Sequence, residues 1–225
     1  MTPAICTKAA TKEYRVGEHC VQAVRGVDFT AQQGEFVCIS GRSGSGKSTL
    51  LNLLAGLERP TSGQISLLGK RIETMSETGR IRFRRGHVGF VFQSYNLLPQ
   101  YSALENVALP LTLAGLPARE CNHRAMKMLG LVGLSEHAAH KPSELSGGQQ
   151  QRAGIARAII TKPDIVFADE PTGNLDTKTG DEVMELLVRI FREWNTTFLL
   201  VTHDPEMSRY TDREIFMSDG KIQLQ

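Results

Sequence analysis

A glycine-rich loop, Gly41-Arg-Ser-Gly-Ser-Gly-Lys-Ser48, is the first segment of the chain whose residue types and spacing suit a specific chemistry. It matches the pattern G-x-x-x-x-G-K-[ST], in which glycines let backbone N–H groups cradle phosphates at the positive end of the following helix. We expect Lys47 to reach the β- and γ-phosphates of a nucleotide and the Ser48 hydroxyl to bind Mg²⁺. The alternative is a glycine-rich turn without a ligand. The residues that we assign to nucleotide binding in this segment are Gly41, Ser43, Gly44, Ser45, Gly46, Lys47, Ser48 and Thr49.

A second candidate site is the acidic pair that ends the apolar run Ile165-Val-Phe-Ala-Asp-Glu170. Two adjacent buried acids are unfavourable unless a cation lies beside one of them. Asp169 therefore fits as a residue that orients Mg²⁺. Glu170 fits as the general base for an attacking water, a role typically worth about 10² to 10⁴ in rate. Two acids at the solvated end of a strand are the alternative.

The stretch Leu145-Ser-Gly-Gly-Gln149 can start a helix, with Ser146 as N-cap and two glycines that allow close approach. It also resembles the signature motif of the ATP-binding-cassette (ABC) proteins. The resemblance implies that the serine, the glycines and the helix N-terminus bind the γ-phosphate of ATP held on the phosphate loop of a second subunit. A second anion-binding helix start, in a chain whose phosphate loop already has one, agrees with this interpretation. The residues so assigned to nucleotide binding are Ser146, Gly147, Gly148 and Gln149.

Three single residues match further positions of the family. Gln93 resembles the loop glutamine that contacts Mg²⁺ or the water and senses the membrane partner, and His203 resembles the switch histidine that contacts the γ-phosphate. Tyr14 resembles the aromatic residue that stacks on adenine, although Ala9 and Ala10 dilute the strand expected before it. The implied catalytic residues are Glu170, His203, Gln93 and Lys47. The implied metal ligands are Ser48, Gln93 and Asp169.

The run Gly173-Asn-Leu-Asp176 lies where the ABC family places a loop that links the two sites of a dimer. Asp176 can equally cap the helix that follows it, since a carboxylate at that position accepts from backbone N–H groups. The two interpretations are compatible, because Asp176 can cap the helix and also lie in a loop that links two sites.

Strands and helices must alternate to position these residues. Residues 35–40 are a β-rich run that leads into the glycine loop, and the leucines of residues 48–57 predict a largely buried helix that Pro60 closes. Residues 165–168 and 198–202 are typical of buried strands, with a helix from Lys178 to Trp194 between them. This alternation predicts a parallel sheet covered by helices, with ligands beyond the carboxyl ends of the strands.

Residues 94–143 contain helix-like segments broken by prolines and show no clear strand pattern, which predicts an inserted helical subdomain. Residues 214–217 and 222–224 flank Asp219-Gly220 and predict a hairpin. We expect one domain over residues 1–225, with residues 1–93 and 144–225 forming the catalytic core. The fold class is α/β: a RecA-like P-loop NTPase core with an N-terminal antiparallel β portion and the helical insertion.

Composition and charge exclude several classes of protein. Twenty-six basic and 24 acidic residues give a net charge of +2, so we expect no nucleic-acid partner. The four cysteines are widely spaced and form no Cys-x-x-Cys pair, which predicts reduced thiols rather than a zinc site or disulfides. Residues 1–11 lack an apolar signal core, and no run approaches the roughly 18 apolar residues of a membrane helix. We therefore expect a cytoplasmic protein whose membrane role comes through a partner.

Three stretches, residues 92–99, 104–110 and 169–176, resemble the lipoprotein-release, macrolide-export and cell-division subgroup of the ABC family. The first two fall where that family docks onto membrane-embedded helices. The resemblance implies an ATPase that uses ATP and Mg²⁺ and forms a head-to-tail homodimer with two ATPs at its interface. It also implies a membrane-embedded permease as partner, at the cytoplasmic face of the cell membrane.

Three other functions are compatible with a phosphate loop, and they differ in how many of the remaining motifs they explain. An ATPase that signals through a membrane protein, as in the cell-division members, shares every motif, and only the partner separates it from an exporter. Soluble ATPases of DNA repair or translation normally carry long coiled-coil insertions or two cassettes in one chain, and this sequence has neither. A small-molecule P-loop kinase leaves the stretch 145–149 without a role.

Overall fold

The computed structural model describes residues 2–17 and 19–223, and the chain divides into two compact units. The first unit joins residues 1–84 to residues 195–225, and the second is the continuous segment 85–194. These boundaries differ from the predicted ones, which place a catalytic core in residues 1–93 and 144–225 and a helical subdomain in residues 94–143. The predicted subdomain boundaries stay a prediction. Leu224, the last residue of the predicted hairpin, lies outside the described residues.

Ten strands and six α-helices are assigned in the described part of the chain. The strands are β1 (Ile5–Val16), β2 (His19–Ala31), β3 (Phe36–Ser40), β4 (Ser62–Leu67), β5 (Lys70–Arg71), β6 (Val88–Val91), β7 (Ile165–Asp169), β8 (Thr197–Thr202), β9 (Arg213–Ser218) and β10 (Lys221–Gln223). The α-helices are α1 (Lys47–Leu54), α2 (Glu77–His87), α3 (Ala103–Leu113), α4 (Ala118–Leu131), α5 (Gly147–Ile159) and α6 (Thr177–Trp194). Short 3₁₀ turns cover Ile72–Thr74, Ser135–His137, Pro142–Glu144 and Pro205–Tyr210.

The predicted N-terminal antiparallel portion is a four-stranded sheet in the order β2-β1-β4-β5. Strand β1 runs through the alanine pair because a bulge absorbs it. Ala9 has φ 47°, the register with β2 shifts between Thr7 and Ala10, and the Ala9 N–H donates to Asp28 Oδ1 at 2.8 Å. The bulge therefore lets one strand continue as far as Tyr14.

The parallel core of the first unit is built around β3, which pairs in parallel with β8 on one side and β9 on the other. All residues of β3 and β8 are buried, as expected for strands covered on both faces. Phe36 and Phe198 meet edge to face, with ring centroids 5.5 Å apart. Strands β9 and β10 form the predicted antiparallel hairpin. The helix predicted after the glycine loop is α1, and Leu50, Leu51, Leu53 and Leu54 are fully buried on it.

The second unit contains the parallel pair β6 and β7 together with helices α3 to α6. Helix α3 starts at a capping box, in which Ser102 and Glu105 satisfy each other's backbone N–H groups. Asn106 is fully buried, accepts from Leu98 N–H at 2.7 Å and donates to the carbonyls of Leu98, Tyr101 and Ser102. These bonds fasten the segment before α3 to the helix itself.

Among the helices of residues 2–17 and 19–223, none combines the length and the apolar character that crossing a membrane requires.

Candidate functional site

The glycine loop joins the buried strand β3 to α1, as the sequence predicts. The Lys47 side chain is buried and folds back over the loop, where Nζ donates to the carbonyls of Gly41 at 2.7 Å and Arg42 at 2.9 Å. Ser43 and Gly44, at the tip of the loop, are exposed. Backbone oxygens of the loop therefore hold the Lys47 ammonium group. A phosphate bound at the loop would compete with these oxygens for the ammonium hydrogens.

Backbone contacts from β2 and from the β9–β10 turn hold the loop in shape. Gly220 N–H donates to Ser45 O at 3.0 Å, and Arg25 N–H donates to Gly220 O at 2.8 Å. Gly46 precedes α1 with φ 99°, and a Cβ placed there would lie 2.2 Å from Ala23 O. Only glycine fits at this position, because both the conformation and the space exclude a side chain.

We expect Gly46→Ala to lower the free energy of unfolding by about 2–5 kcal/mol, since it combines left-handed strain with a clash against backbone. The matched control is Gly44→Ala. Gly44 has φ 79° but nothing within 4 Å of the position of a Cβ, so strain alone should lower stability by about 1–2 kcal/mol. Urea unfolding of both variants without nucleotide measures the difference. Equal losses of unfolding free energy in the two variants would show that the clash with Ala23 O does not contribute.

Tyr14 lies near the end of β1, with its hydroxyl donating to Glu58 Oε2 at 2.7 Å. Burial, and next this hydrogen bond, raise the pKa of the Tyr14 hydroxyl. Burial acts to raise the pKa of Glu58, but the bonds from Tyr14 and Lys12 outweigh it, so the pKa is lowered. Lys12 Nζ lies 5.1 Å from the centroid of the Tyr14 ring, a cation–π contact with one face of the ring. Stacking on adenine stays a prediction.

His203 is exposed and follows β8 directly. Thr202 is paired with Ser40 in the parallel register of β8 and β3. His203 and Gly41 are therefore the next residues along two adjacent strands, at the same edge of the sheet. Within the first unit, the structure brings the predicted switch histidine and the start of the phosphate loop together, as expected for carboxyl ends of parallel strands.

Gln93 and Glu170 converge in the second unit. Val91 and Ala168 are paired in the parallel register of β6 and β7. Gln93 lies two residues after Val91, and Glu170 lies two residues after Ala168, so both follow at the same edge of this strand pair. A Cβ placed on Gly173 would lie 2.8 Å from Gln93 Nε2 and 3.3 Å from Glu170 Oε2, so both side chains border this glycine. Asn174 Nδ2 also donates to Gln93 O at 3.0 Å. Asp169 precedes Glu170 at the end of β7.

The signature stretch starts α5 with Ser146 as N-cap, as the sequence predicts. Ser146 Oγ accepts from Gln149 N–H at 3.3 Å, and Gln149 Oε1 accepts from Ser146 N–H at 2.9 Å, which completes a capping box. Asp176 caps α6 by accepting from Thr179 N–H at 3.0 Å, and the hydrogen bonds with Thr179 lower the pKa of the Asp176 carboxyl. The capping role of Asp176 is confirmed, and its role in linking two sites stays a prediction.

Sequence reasoning missed a histidine that contacts the signature motif. Gln149 Nε2 lies 3.1 Å from His137 Nε2, and His137 Nδ1 lies 3.1 Å from His140 Nδ1. Since the amide nitrogen of Gln149 can only donate, His137 accepts at Nε2, and its Nδ1 is left to face His140. Nothing in the spacing of residues 137, 140 and 149 indicates this relay, because it depends on how the turn before α5 packs.

We expect His137→Phe to weaken ATP-driven self-association, because Gln149 loses the acceptor that fixes its amide. The lost hydrogen bond corresponds to about 0.5–1.5 kcal/mol, or roughly two- to tenfold in the dimer dissociation constant. Light scattering with ATP, in a Glu170→Gln background that prevents turnover, measures this constant. His123→Phe, at an exposed position of α4, is the control. Identical constants for the two variants would show that the relay is not needed.

Comparison with known proteins places these features in a family. A protein-family model described as ABC transporter matches residues 24–173. An uncharacterized ABC transporter ATP-binding protein of Thermotoga maritima is 50% identical over 212 residues, which cover 94% of this chain and 90% of the relative. The lipoprotein-releasing system ATP-binding protein LolD of Geobacter metallireducens is 44% identical over 212 residues, 94% of each chain.

The fold is also similar to that of a solved ABC cassette. The ATP-binding cassette MJ0796, in a dimeric post-hydrolysis state bound to ADP and Pi, is 41% identical, with a TM-score of 0.91 over 98% of this chain and 97% of that one. The predicted α/β fold class is confirmed by this likeness, and the family identified from residues 145–149 is confirmed by the match over residues 24–173. The chain belongs to the ABC transporter family and is one of its ATP-binding, ATP-hydrolysing subunits.

Proposed function

We propose that this subunit closes head to tail with a second copy of itself on two ATP molecules and thereby drives export or lipoprotein release by a membrane permease. The observation that carries the proposal is the start of α5, where Ser146 is exposed and Gly147 and Gly148 form the first turn at the positive end of the helix. The chain's own phosphate loop already has one such end at α1. A second one suits the nucleotide of a partner subunit, and the similar cassette MJ0796 is known as a dimer.

We assign the chemistry of hydrolysis to four side chains. Glu170 takes a proton from the attacking water, and Lys47 and His203 stabilise the charge that develops on the γ-phosphate. Gln93 contacts the attacking water or Mg²⁺, a role supported by its position beside Glu170 at Gly173. The α1 N-terminus and the loop N–H groups hold the β-phosphate.

The donor set of the chain suits Mg²⁺. Ser48 offers a hydroxyl oxygen, Asp169 a carboxylate and Gln93 an amide oxygen, which are the hard ligands that Mg²⁺ prefers. At the tip of the loop Gly44 is exposed, and nothing lies within 4 Å of the position of a Cβ there, so phosphates can approach the backbone. When bound, Mg²⁺ would neutralise charge on the β- and γ-phosphate oxygens.

A membrane partner is supported by the relatives of this chain. Those named for the lipoprotein-releasing system are 43–47% identical to it. The working location would then be the cytoplasmic face of the membrane, through the permease.

The test is co-purification of tagged Glu170→Gln protein from detergent-solubilised native membranes with ATP and Mg²⁺, with Lys47→Ala as the control that binds no nucleotide tightly. Recovery of a permease with an extracytoplasmic domain supports export or lipoprotein release. Recovery of a membrane protein of the cell-division machinery instead would favour the signalling function. If no membrane protein is captured while the ATP-bound dimer is intact, the proposal is wrong and a soluble ATPase is favoured.

A further inference from the structure

A buried glutamine of α5 contacts the turn that carries the proposed catalytic base. Gln151 is fully buried, and its Nε2 donates to Pro171 O at 2.5 Å. Pro171 has no N–H, so this carbonyl is its only backbone group able to form a hydrogen bond. Gln151 also lies one and two turns before Ile155 and Ile159, on the face of α5 that is buried. In the sequence, a glutamine on the otherwise apolar face of α5 is the feature that indicates a buried polar contact such as the one with Pro171 O.

The turn held by Gln151 is strained at the residue that matters for hydrolysis. Glu170, immediately before Pro171, has φ 45°, a left-handed conformation that is unfavourable for a residue with a side chain. Glu170 O accepts from Gly173 N–H at 3.0 Å. The carbonyl of Glu170 is therefore bonded to Gly173 and the carbonyl of Pro171 to Gln151, so that both peptide groups after Glu170 are tied to neighbouring backbone or side-chain donors.

The other half of the Gln151 amide is unused. Its Oε1 is buried and has no hydrogen-bond partner among residues 2–17 and 19–223. A buried unpaired oxygen is unfavourable for stability, and an apolar side chain of the same size would avoid it. Packing alone therefore does not account for the amide, whereas donation to Pro171 O does.

We propose that Gln151 is a positioning residue for Glu170 and couples the signature motif to hydrolysis within one subunit. This inference rests on the proposed role of Glu170 as general base. Gly147, the first residue of α5, lies one helical turn before Gln151, and the capping box makes this first turn rigid. A shift of the helix start, when it meets the nucleotide of the second subunit, moves Gln151 and, through Pro171 O, the carboxylate of Glu170.

The test compares Gln151→Met, which keeps the length of the side chain but removes the donor, with Gln150→Met. Gln150 is the matched control because its Nε2 also donates to a carbonyl, Leu145 O at 3.0 Å. Gln151→Met should lower kcat by about ten- to a hundredfold, as misplacement by about 1 Å can. KM for ATP should change by less than about twofold, because only the hydrolysis step is affected. A wild-type kcat for Gln151→Met overturns the inference.

A second variant gives a readout that a purely structural role would not change. In Gln151→Glu the carboxyl donates to Pro171 O only while it is protonated, and burial raises the pKa of a carboxyl group. The ratio of its kcat to that of the wild type should therefore rise as the pH is lowered from about 8 to about 6. A ratio that does not vary with pH contradicts the inference. This variant decides the question if Gln151→Met does not fold.

Glu170→Gln, measured alongside, separates the inference from the proposed function. If Glu170→Gln hydrolyses ATP like the wild type, the role of Glu170 fails and the inference with it. If Glu170→Gln is inactive and Gln151→Met is fully active, the inference alone fails. Adding Gln151→Met to Glu170→Gln should cause no further loss of hydrolysis, because Gln151 acts through that carboxylate.

Discussion

Replacing Glu170 by Gln is expected to lower kcat for ATP hydrolysis by about 10² to 10⁴ while ATP still binds, since a general base contributes about that much. The amide keeps the size of the side chain and cannot accept the proton of the water. Without hydrolysis the ATP-bound dimer should accumulate. Phosphate release gives the rate, and sizing chromatography with ATP and Mg²⁺ gives the dimer fraction.

Glu185→Gln is the matched control for this variant, because Glu185 is an exposed carboxylate on α6. It should hydrolyse ATP at the wild-type rate. A Glu170→Gln protein that binds ATP but stays monomeric would be evidence against closure of the dimer by ATP. One that hydrolyses ATP at the wild-type rate would remove Glu170 from the reaction.

Replacing Lys47 by Ala is expected to abolish tight ATP binding. The Lys47 ammonium is held at the loop by two carbonyls, at 2.7 and 2.9 Å, and no other side chain in the loop segment 41–49 except Arg42 carries a positive charge. At an ATP concentration of 100 times the wild-type dissociation constant, binding stabilises the folded state by about 2.7 kcal/mol, and the variant should lose most of this. Thermal unfolding with and without ATP measures the loss.

Lys127→Ala serves as the control for Lys47→Ala, since Lys127 is exposed on α4. ATP should raise its melting temperature as much as it raises that of the wild type. If ATP raised the melting temperature of Lys47→Ala by the same amount, the loop N–H groups alone would account for the affinity for ATP.

Local patterns predicted the parts of the site that depend on local structure. The run of apolar residues before Gly41 became β3, the leucines after Lys47 became the buried side of α1, and Ser146 became an N-cap. Each of these outcomes depends on a few consecutive residues whose backbone preferences and periodicity agree. The roles of Gln93 and His203 came from family resemblance, because a single polar residue after a strand carries no pattern of its own.

Contacts between distant residues could not be predicted in the same way. Gln151 meets Pro171, and His137 meets Gln149, only because the tertiary packing brings them together. The alanines before Tyr14 weakened the strand pattern, yet β1 continues because the bulge at Ala9 is satisfied by Asp28, which lies in another strand. Side-chain partners of this kind depend on packing, so sequence spacing gives at most a hint, as the polar residue on the apolar face of α5 did.

The strand pairing around β3 also determines when, during synthesis on the ribosome, the phosphate-binding unit can form. Both neighbours of β3, the strands β8 and β9, belong to residues 195–225, and the turn at Gly220 supplies the N–H that supports Ser45. A nascent chain that ends before these residues leaves the backbone groups of β3 unpaired on both edges and its apolar side chains uncovered, and such a species is prone to aggregation. The first unit can therefore complete its fold only after the end of the chain has emerged, and ribosome-bound chains should gain ATP binding only after residue 220 has left the exit tunnel.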